Sequence, residues 1–349
     1  MRVAAGPSGE GPLPAAPVSL DDASAAADAR PGAWGPDVLG GHYERMSLPL
    51  GDDAEGPVVA SLVRYRPDPE LTPARAILYV HGWSDYFFQT HLAEYWRHQG
   101  VAFYALDLRK FGRSLRPWQT PGYIDSLRTY DEDLAAACEV ISGELPAGGA
   151  LMVFAHSLGG LVTSLWADRH PGVVRGLILN SPWLELQGSA VMRALSAPAV
   201  RPLARLQPRQ VLPNLDLGFY SRSVRATDGG EWEFDERWRP TPSFPVRPGW
   251  LNAVMAGHAT VASGLHITVP ILMLASTRTL LAPRWHEEMR RADVVLETDW
   301  LARRAVGLGT QVTVTRIPGA IHDVVLSAPP VREHVLAEIT RWCSAYGWV

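Results

Sequence analysis

Cysteine is almost missing from this chain of 349 residues: only Cys138 and Cys343 occur. Both fall in stretches that read as helices, and two cysteines make no disulfide framework. Buried free thiols in a reducing compartment are the expectation. A basic stripe is also missing. Thirty-two Lys and Arg face 36 Asp and Glu, a formal charge of -4, so nothing points to nucleic acid as a partner. No apolar run approaches the ~20 residues of a spanning helix. The N-terminus has no basic segment followed by an apolar one, so a signal peptide is not expected. A soluble, cytoplasmic protein is the expectation. No H-E-x-x-H or C-x-x-C occurs, and no G-x-G-x-x-G or Walker pattern follows a strand. His91 and His98 stand seven apart on an expected helix and are not read as metal ligands. No cofactor is expected.

What is present suits an α/β domain. Hydrophobic residues make up 47% of the chain, enough for a sizeable core. The length fits one large domain with an insertion, or two domains. Residues 1–33 carry almost nothing large and apolar, so that segment is expected to be disordered, with the folded domain running over 34–349. "YERMSLPL" (43–50) and "VVASLVRY" (58–65) read as paired strands around a turn. "AILYVH" (76–81), "VAFYALD" (101–107), "ALMVFA" (150–155), "GLILN" (176–180), "VPILMLA" (269–275) and "QVTVTRI" (311–317) are short apolar runs. Such runs suit strands covered on both faces. Helices are expected over roughly 89–99, 124–143, 158–169, 297–307 and 330–346. Strands alternating with helices imply a mostly parallel sheet. The interval of about 183–264, rich in Pro, Arg and Trp, breaks the alternation and reads as an inserted cap.

Within "LMVFAHSLGGLV" (151–162), Ser157 ends a strand and precedes a helix. That is the context of a nucleophile elbow, with Ala155, Gly159 and Gly160 as the small neighbours a sharp turn demands. Ser157 read as a plain helix N-cap is the alternative.

These residues resemble the α/β-hydrolase fold family, and within it the monoacylglycerol-lipase and lysophospholipase-like branch, often labelled serine aminopeptidase S33. The resemblance rests on "HGWSD" (81–85), "LDLRKFGRS" (106–114), "AHSLGG" (155–160) and "PGAIHD" (318–323), in that order. It implies an eight-stranded sheet, a cap after the sixth strand, and a Ser-Asp-His triad in that chain order. The fold alone does not fix the chemistry.

A serine hydroxyl needs a base, and histidine's pKa suits the task. His322 follows the last strand, where the resemblance puts the triad histidine. His156 is expected to point away from the serine, and His81 to brace the neighbouring loop. The acid is expected just after the seventh strand, but "TRTLLAPRWHEEMRR" holds no aspartate. Residues of about 276–291 therefore read as an insertion that delays the acid to Asp293. Asp299, Glu297 and Asp323 are the alternatives, and an N-cap role is the plain reading of Asp293. The oxyanion hole is expected from the backbone N–H groups of Leu158 and Trp83, with Gly82 giving the loop its freedom. The Trp83 indole is either an acyl-pocket wall or ordinary packing. Asp107 and Arg109 are expected to hold the oxyanion loop. Lys110 and Phe111 replace the family's usual glycine and histidine there.

Trp232, Trp238 and Trp250 could line an acyl-binding cap or simply pack. Arg201, Arg205, Arg209, Arg222 and Arg225 read chiefly as a solvated cap face, with transient contact to a membrane surface as the alternative. The resulting expectation is a serine hydrolase acting on a small-molecule or lipid ester of monoacylglycerol or lysophospholipid type. An aminopeptidase would need an acidic amine anchor, for which Glu185, Glu231, Glu233, Asp235 or Glu236 could serve. A non-catalytic ligand-binding homologue of the fold is the remaining alternative.

Overall fold

A computed structural model describes residues 32–70, 72–186, 200–213 and 216–349. The segment 1–33 thus lies outside the described residues except for Gly32 and Ala33; the Gly32 N–H donates to the Ser47 carbonyl at 3.1 Å. In chain order the strands are β1 (Gly35–Pro36), β2 (Tyr43–Asp53), β3 (Gly56–Tyr65), β4 (Arg75–Val80), β5 (Ala102–Asp107), β6 (Ala150–His156), β7 (Leu177–Asn180), β8 (Ile271–Ser276) and β9 (Val312–Ile317). The longer helices are α1 (Thr90–His98), α2 (Tyr130–Glu144), α3 (Leu158–Arg169), α4 (Phe219–Val224), α5 (Pro248–Ala262), α6 (Thr298–Ala305) and α7 (Pro329–Ala345). Residues 200–206 are helical too.

The nine strands form one sheet in the order β1-β2-β3-β5-β4-β6-β7-β8-β9. Pairing is antiparallel from β1 through β3 to β5 and parallel from there to β9. The fold is an α/β-hydrolase fold with helices on both faces and a helical cap region. All eight expected strands form. The ninth, β1, corrects the eight-stranded expectation. Its two residues pair with Arg45 and Glu44. A strand that short carries no alternation, and Pro36 has no N–H to give.

The apolar runs explain the layers. Successive strand residues face opposite sides of a sheet. Ala76, Leu78 and Val80 of β4 join Leu151, Val153 and Ala155 of β6 in one core cluster, with Leu161 and Leu165 of α3. Ile77, Tyr79, Met152 and Phe154 join the other, with Trp96 of α1 and Val335 and Ile339 of α7. Both faces are sealed from water, which is why these runs show no polar alternation.

The interval 183–264 is not uniform. Helix α5, opened by Pro248 at its first turn, packs on α3. Its Trp250, Val254 and Val261 belong to the main core. A Cβ at Gly257 would meet Leu127 at 2.6 Å and Leu165 at 3.1 Å, so the helix lies close against the domain body. Val224 of α4 joins Tyr86 and Phe88, which follow β4, and Ile321 and Leu326, which follow β9, in a third cluster.

Candidate active site

The parallel strands all end on one side, where α/β sheets assemble their sites. Ser157 stands between β6 and α3 at φ 48° and ψ -112°. A non-glycine residue at such angles is strained and persists only where its surroundings over-determine it. Here they do. The Ser157 N–H donates to the Asn180 carbonyl at 3.0 Å, and the Ser157 carbonyl accepts from Trp183 N at 2.8 Å. Helix α3 runs so close to the sheet that a Cβ at Gly159 would stand 2.4 Å from the His81 carbonyl oxygen. One at Gly160 would stand 2.5 Å from Pro182 Cβ. The small residues after the serine are therefore required by contact, not only by the turn.

The structure brings Ser157, His322 and Asp293 together. Asp293 Oδ2 accepts from His322 Nδ1 at 2.9 Å, and His322 Nε2 accepts from the Ser157 hydroxyl at 3.0 Å. His322 and Asp293 are buried, and Ser157 is 8% exposed. The delay of the acid has a simple shape. After β8 the chain makes an excursion and returns, and Thr279 and Asp293 pair as an isolated bridge. Leu280 N donates to Asp293 O at 2.8 Å, and Asp293 N to Arg278 O at 2.9 Å. Asp293 is so brought back beside the residues that follow β8. Its Oδ1 accepts from the N–H groups of Val295 and Leu296 at 2.7 and 2.8 Å. One oxygen closes a turn while the other holds the histidine.

The alternative acids lie elsewhere. Asp299 is 71% exposed and pairs with Arg316. Glu297 occupies the N-cap of α6. Asp323 accepts from Asn180 Nδ2 at 2.6 Å and from Val325 N at 3.2 Å. His156 points to the Asn180 carbonyl at 3.2 Å, and burial lowers its pKa. His81 Nε2 accepts from Leu108 N at 3.0 Å, and its Nδ1 donates to the Gly82 carbonyl at 2.7 Å. It thereby ties the loop after β4 to the loop after β5.

Gly82 presses on the nucleophile; a Cβ there would lie 3.2 Å from Ser157 Cβ. Trp83 follows it. Leu158 is the first residue of α3, so its N–H has no acceptor within the helix. The Trp83 indole lies on Trp250, with ring centroids 3.8 Å apart, and meets Phe111 and Phe244 edge-on at 5.6 and 6.2 Å. Trp183 extends this wall, its centroid 5.9 Å from Trp250. Trp232 and Trp238 lie apart from it. Trp232 packs on His91 and donates to the Leu326 carbonyl, and Trp238 packs on Tyr86.

One expectation needs correction. Asp107 does hold the loop after β4, accepting from Phe87 N at 2.9 Å. Arg109 does not. It lies two residues past the end of β5 and bonds Asp133 and Glu132 of α2 at 2.7 Å each. Arg113 takes the place assigned to it: fully buried, it pairs with Asp37 and Asp107 and donates to the Phe87 carbonyl at 3.0 Å. Lys110, at φ 64°, is buried against Asp53 and Glu55 of the β2–β3 hairpin. Four residues around the site are not singled out by the sequence: Asn180, Tyr220, Arg113 and Arg239, the last buried against Asp85 and the Tyr220 ring. Of these, Asn180, a lone amide ending a buried strand, carries a visible signal in the sequence. It accepts from Val324 N through Oδ1 and from Ser157 N through its carbonyl, joining the serine turn to the histidine loop. Tyr220 of α4 meets the His322 ring edge-on at 5.1 Å.

Two further histidines brace these loops as neutral groups. His258 Nε2 donates to the Trp183 carbonyl at 2.8 Å, and His91 Nε2 to the Val325 carbonyl at 2.9 Å. Burial lowers each pKa to about 4. Neither Nδ1 has a partner, so protonation there would bury an unpaired N–H. Between pH 6.5 and 4 the unfolded chain therefore binds more protons than the native one. Stability falls as pH falls through that window, by up to about 1.4 kcal/mol per pH unit for each histidine. We expect the thermal midpoint to drop between pH 7 and pH 5. An unchanged midpoint over that range would contradict the assignment.

A nucleophile elbow, a histidine held by a carboxylate and a cap on this sheet define a serine hydrolase. The chain matches the family described as Serine aminopeptidase, S33 over residues 72–296, and it belongs to that family. A monoacylglycerol lipase from Mycolicibacterium smegmatis is 26% identical over 275 residues, spanning 78% of this chain and 89% of that protein. Among solved structures, a monoacylglycerol lipase from Paleococcus ferrophilus superposes with a TM-score of 0.57 at 20% identity, covering 79% of this chain and 96% of that one. A thermostable carboxyl esterase from Bacillus coagulans gives 0.60 at 16% identity, covering 86% and 98%.

Proposed function

We propose that the enzyme cleaves carboxylic esters of monoacylglycerol or lysophospholipid type through an acyl-enzyme on Ser157. The relay from Asp293 through His322 to Ser157, at 2.9 and 3.0 Å, carries the reading. Ser157 Oγ attacks the ester carbonyl while its proton passes to His322 Nε2. Asp293 fixes the tautomer and stabilises the imidazolium. The backbone N–H groups of Trp83 and Leu158 receive the oxyanion, each worth about 3 kcal/mol. The tetrahedral adduct collapses, His322 gives its proton to the departing alcohol oxygen, and the acyl group stays on Ser157. Water then attacks the acyl-enzyme, its proton going to His322 and then back to Ser157 as the acid leaves.

The ester reading is supported against peptidase action by the carboxylates themselves. Glu185, Glu231, Asp235 and Glu236 each pair with an arginine, and Glu233 is exposed. The four paired carboxylates are already neutralised by arginine, which argues against their serving as an amine anchor. The test compares initial rates on a 1-monoacylglycerol, a lysophosphatidylcholine and an aminoacyl p-nitroanilide. Turnover of either ester with an inert anilide is the expected result. Turnover of the anilide alone would overturn the reading.

The catalytic unit in this reading is 34–349 with 183–264 as its cap. Arg201 and Arg205 are exposed beside Leu203 and Leu206, which suits transient contact of the cap with a lipid surface. No helix among the described residues is long and apolar enough to cross a membrane. A cytoplasmic location fits the two cysteines, which are free and buried, with thiols that burial pushes up to about 12.

A further inference from the structure

The loop that carries Trp83 is held from the cap. Ser84 sits at φ 52°, in the left-handed region, without being glycine. Its buried hydroxyl accepts from the Phe244 N–H at 3.0 Å. Asp85, the next residue, pairs with Arg239 at 3.1 Å, and both side chains are 3% exposed. The third, Tyr86, accepts from Asp235 N at 2.7 Å. The domain body also holds the loop, through His81 at its start, through Phe111 against Trp83, and through Asp107 and Arg113 at Phe87; between them, the hydrogen bond to the Ser84 side chain and the ion pair of Asp85 come from the cap. Arg239 is itself fixed by rings: its guanidinium carbon lies 4.4 Å from the Phe234 centroid, 4.9 Å from Tyr220 and 5.6 Å from Phe88. Tyr220 in turn packs on His322.

We infer that the cap segment 235–244 sets the oxyanion loop, with Arg239 and Ser84 as positioning residues for the Trp83 N–H. The inference rests on the oxyanion role proposed above for Trp83. A backbone donor works only where it meets the developing charge, and small displacements lower the rate. A non-glycine residue at a left-handed φ relaxes unless held. The Phe244 bond and the buried Asp85–Arg239 pair supply that hold from a segment far away in sequence, Phe244 standing 160 residues from Ser84. The pair is ill suited to serve stability alone, because burying two charges offsets most of their attraction.

The test uses the full chain and four variants: Ser84→Ala, Asp85→Asn, Arg239→Met and the double variant Asp85→Asn with Arg239→Met. Steady-state ester hydrolysis and the rate of phosphonylation by a fluorophosphonate are both measured, with circular dichroism to verify folding. For Ser84→Ala, kcat and the phosphonylation rate both fall by about tenfold while KM stays within about twofold, because the loss is in the transition state. For the Asp85–Arg239 variants, the double variant loses no more than the worse single one, as expected of one shared tie. Ser84→Ala removes a single oxygen, so it keeps the test open should Arg239→Met fail to fold. Folded Ser84→Ala with wild-type kcat, or with raised KM and unchanged kcat, would overturn the inference. A wild type that fluorophosphonate leaves unlabelled at Ser157 would instead overturn the catalytic reading beneath it.

Discussion

Ser157→Ala abolishes ester turnover, lowering kcat by roughly six orders of magnitude, the scale on which serine triads lose activity without their nucleophile. The variant folds. Alanine faces the same backbone angles, and the anchors of the elbow are backbone groups: Ser157 N on Asn180 and Ser157 O on Trp183. Only Oγ is lost, with its bond to His322 Nε2. Initial rates on a saturating ester, with the thermal midpoint as control, check this. A folded variant retaining more than about 1% of wild-type kcat would mean that another group attacks, since no residual activity of that size is expected from binding and oxyanion stabilisation alone.

Asp293→Asn is the second large effect, with an expected loss of about 10⁴ in kcat. The substitution separates the two jobs of this side chain. An asparagine carbonyl oxygen still accepts from Val295 N and Leu296 N, which Oδ1 holds now, so the turn survives. The amide nitrogen then faces His322 Nδ1, where Oδ2 stood. It can only donate, which forces the proton to Nε2 and leaves Ser157 without a base. Asp299→Asn removes only an exposed pair with Arg316, and near wild-type kcat is expected. Asp323→Asn disturbs the bonds to Asn180 and Val325 but no bond to His322, so its loss is far smaller than that of Asp293→Asn. Wild-type rates in Asp293→Asn beside an inactive Asp323→Asn would reverse the assignment.

Local pattern carries much of this fold. Eight strands are readable, the central ones as apolar runs sealed on both faces and β2 and β3 as a pair around a turn-rich segment, and β1 is not because two residues hold no pattern. Ser157 and His322 are legible because each follows a strand at the end where sites form. Asp293 is legible only by skipping an excursion, and what closes that excursion, the Thr279–Asp293 bridge, leaves no mark in sequence. Arg109 is misread from sequence because it lies beyond the end of β5, where strand alternation no longer fixes a side chain's direction, and its partners Asp133 and Glu132 are more than 20 residues away. Arg113, Arg239 and Tyr220 are illegible in sequence for a related reason. Their partners, Asp37, Asp85 and His322, are distant in sequence, and nothing local distinguishes an arginine that will be buried from one that will be solvated.

The central claim is that Ser157 is an activated nucleophile. Its most direct test is intact mass after treatment with a fluorophosphonate, comparing wild type with Ser157→Ala. One phosphonyl adduct on the wild type and none on the variant is the predicted result. A folded wild type that gains no mass, or a variant that still gains it, would contradict the account.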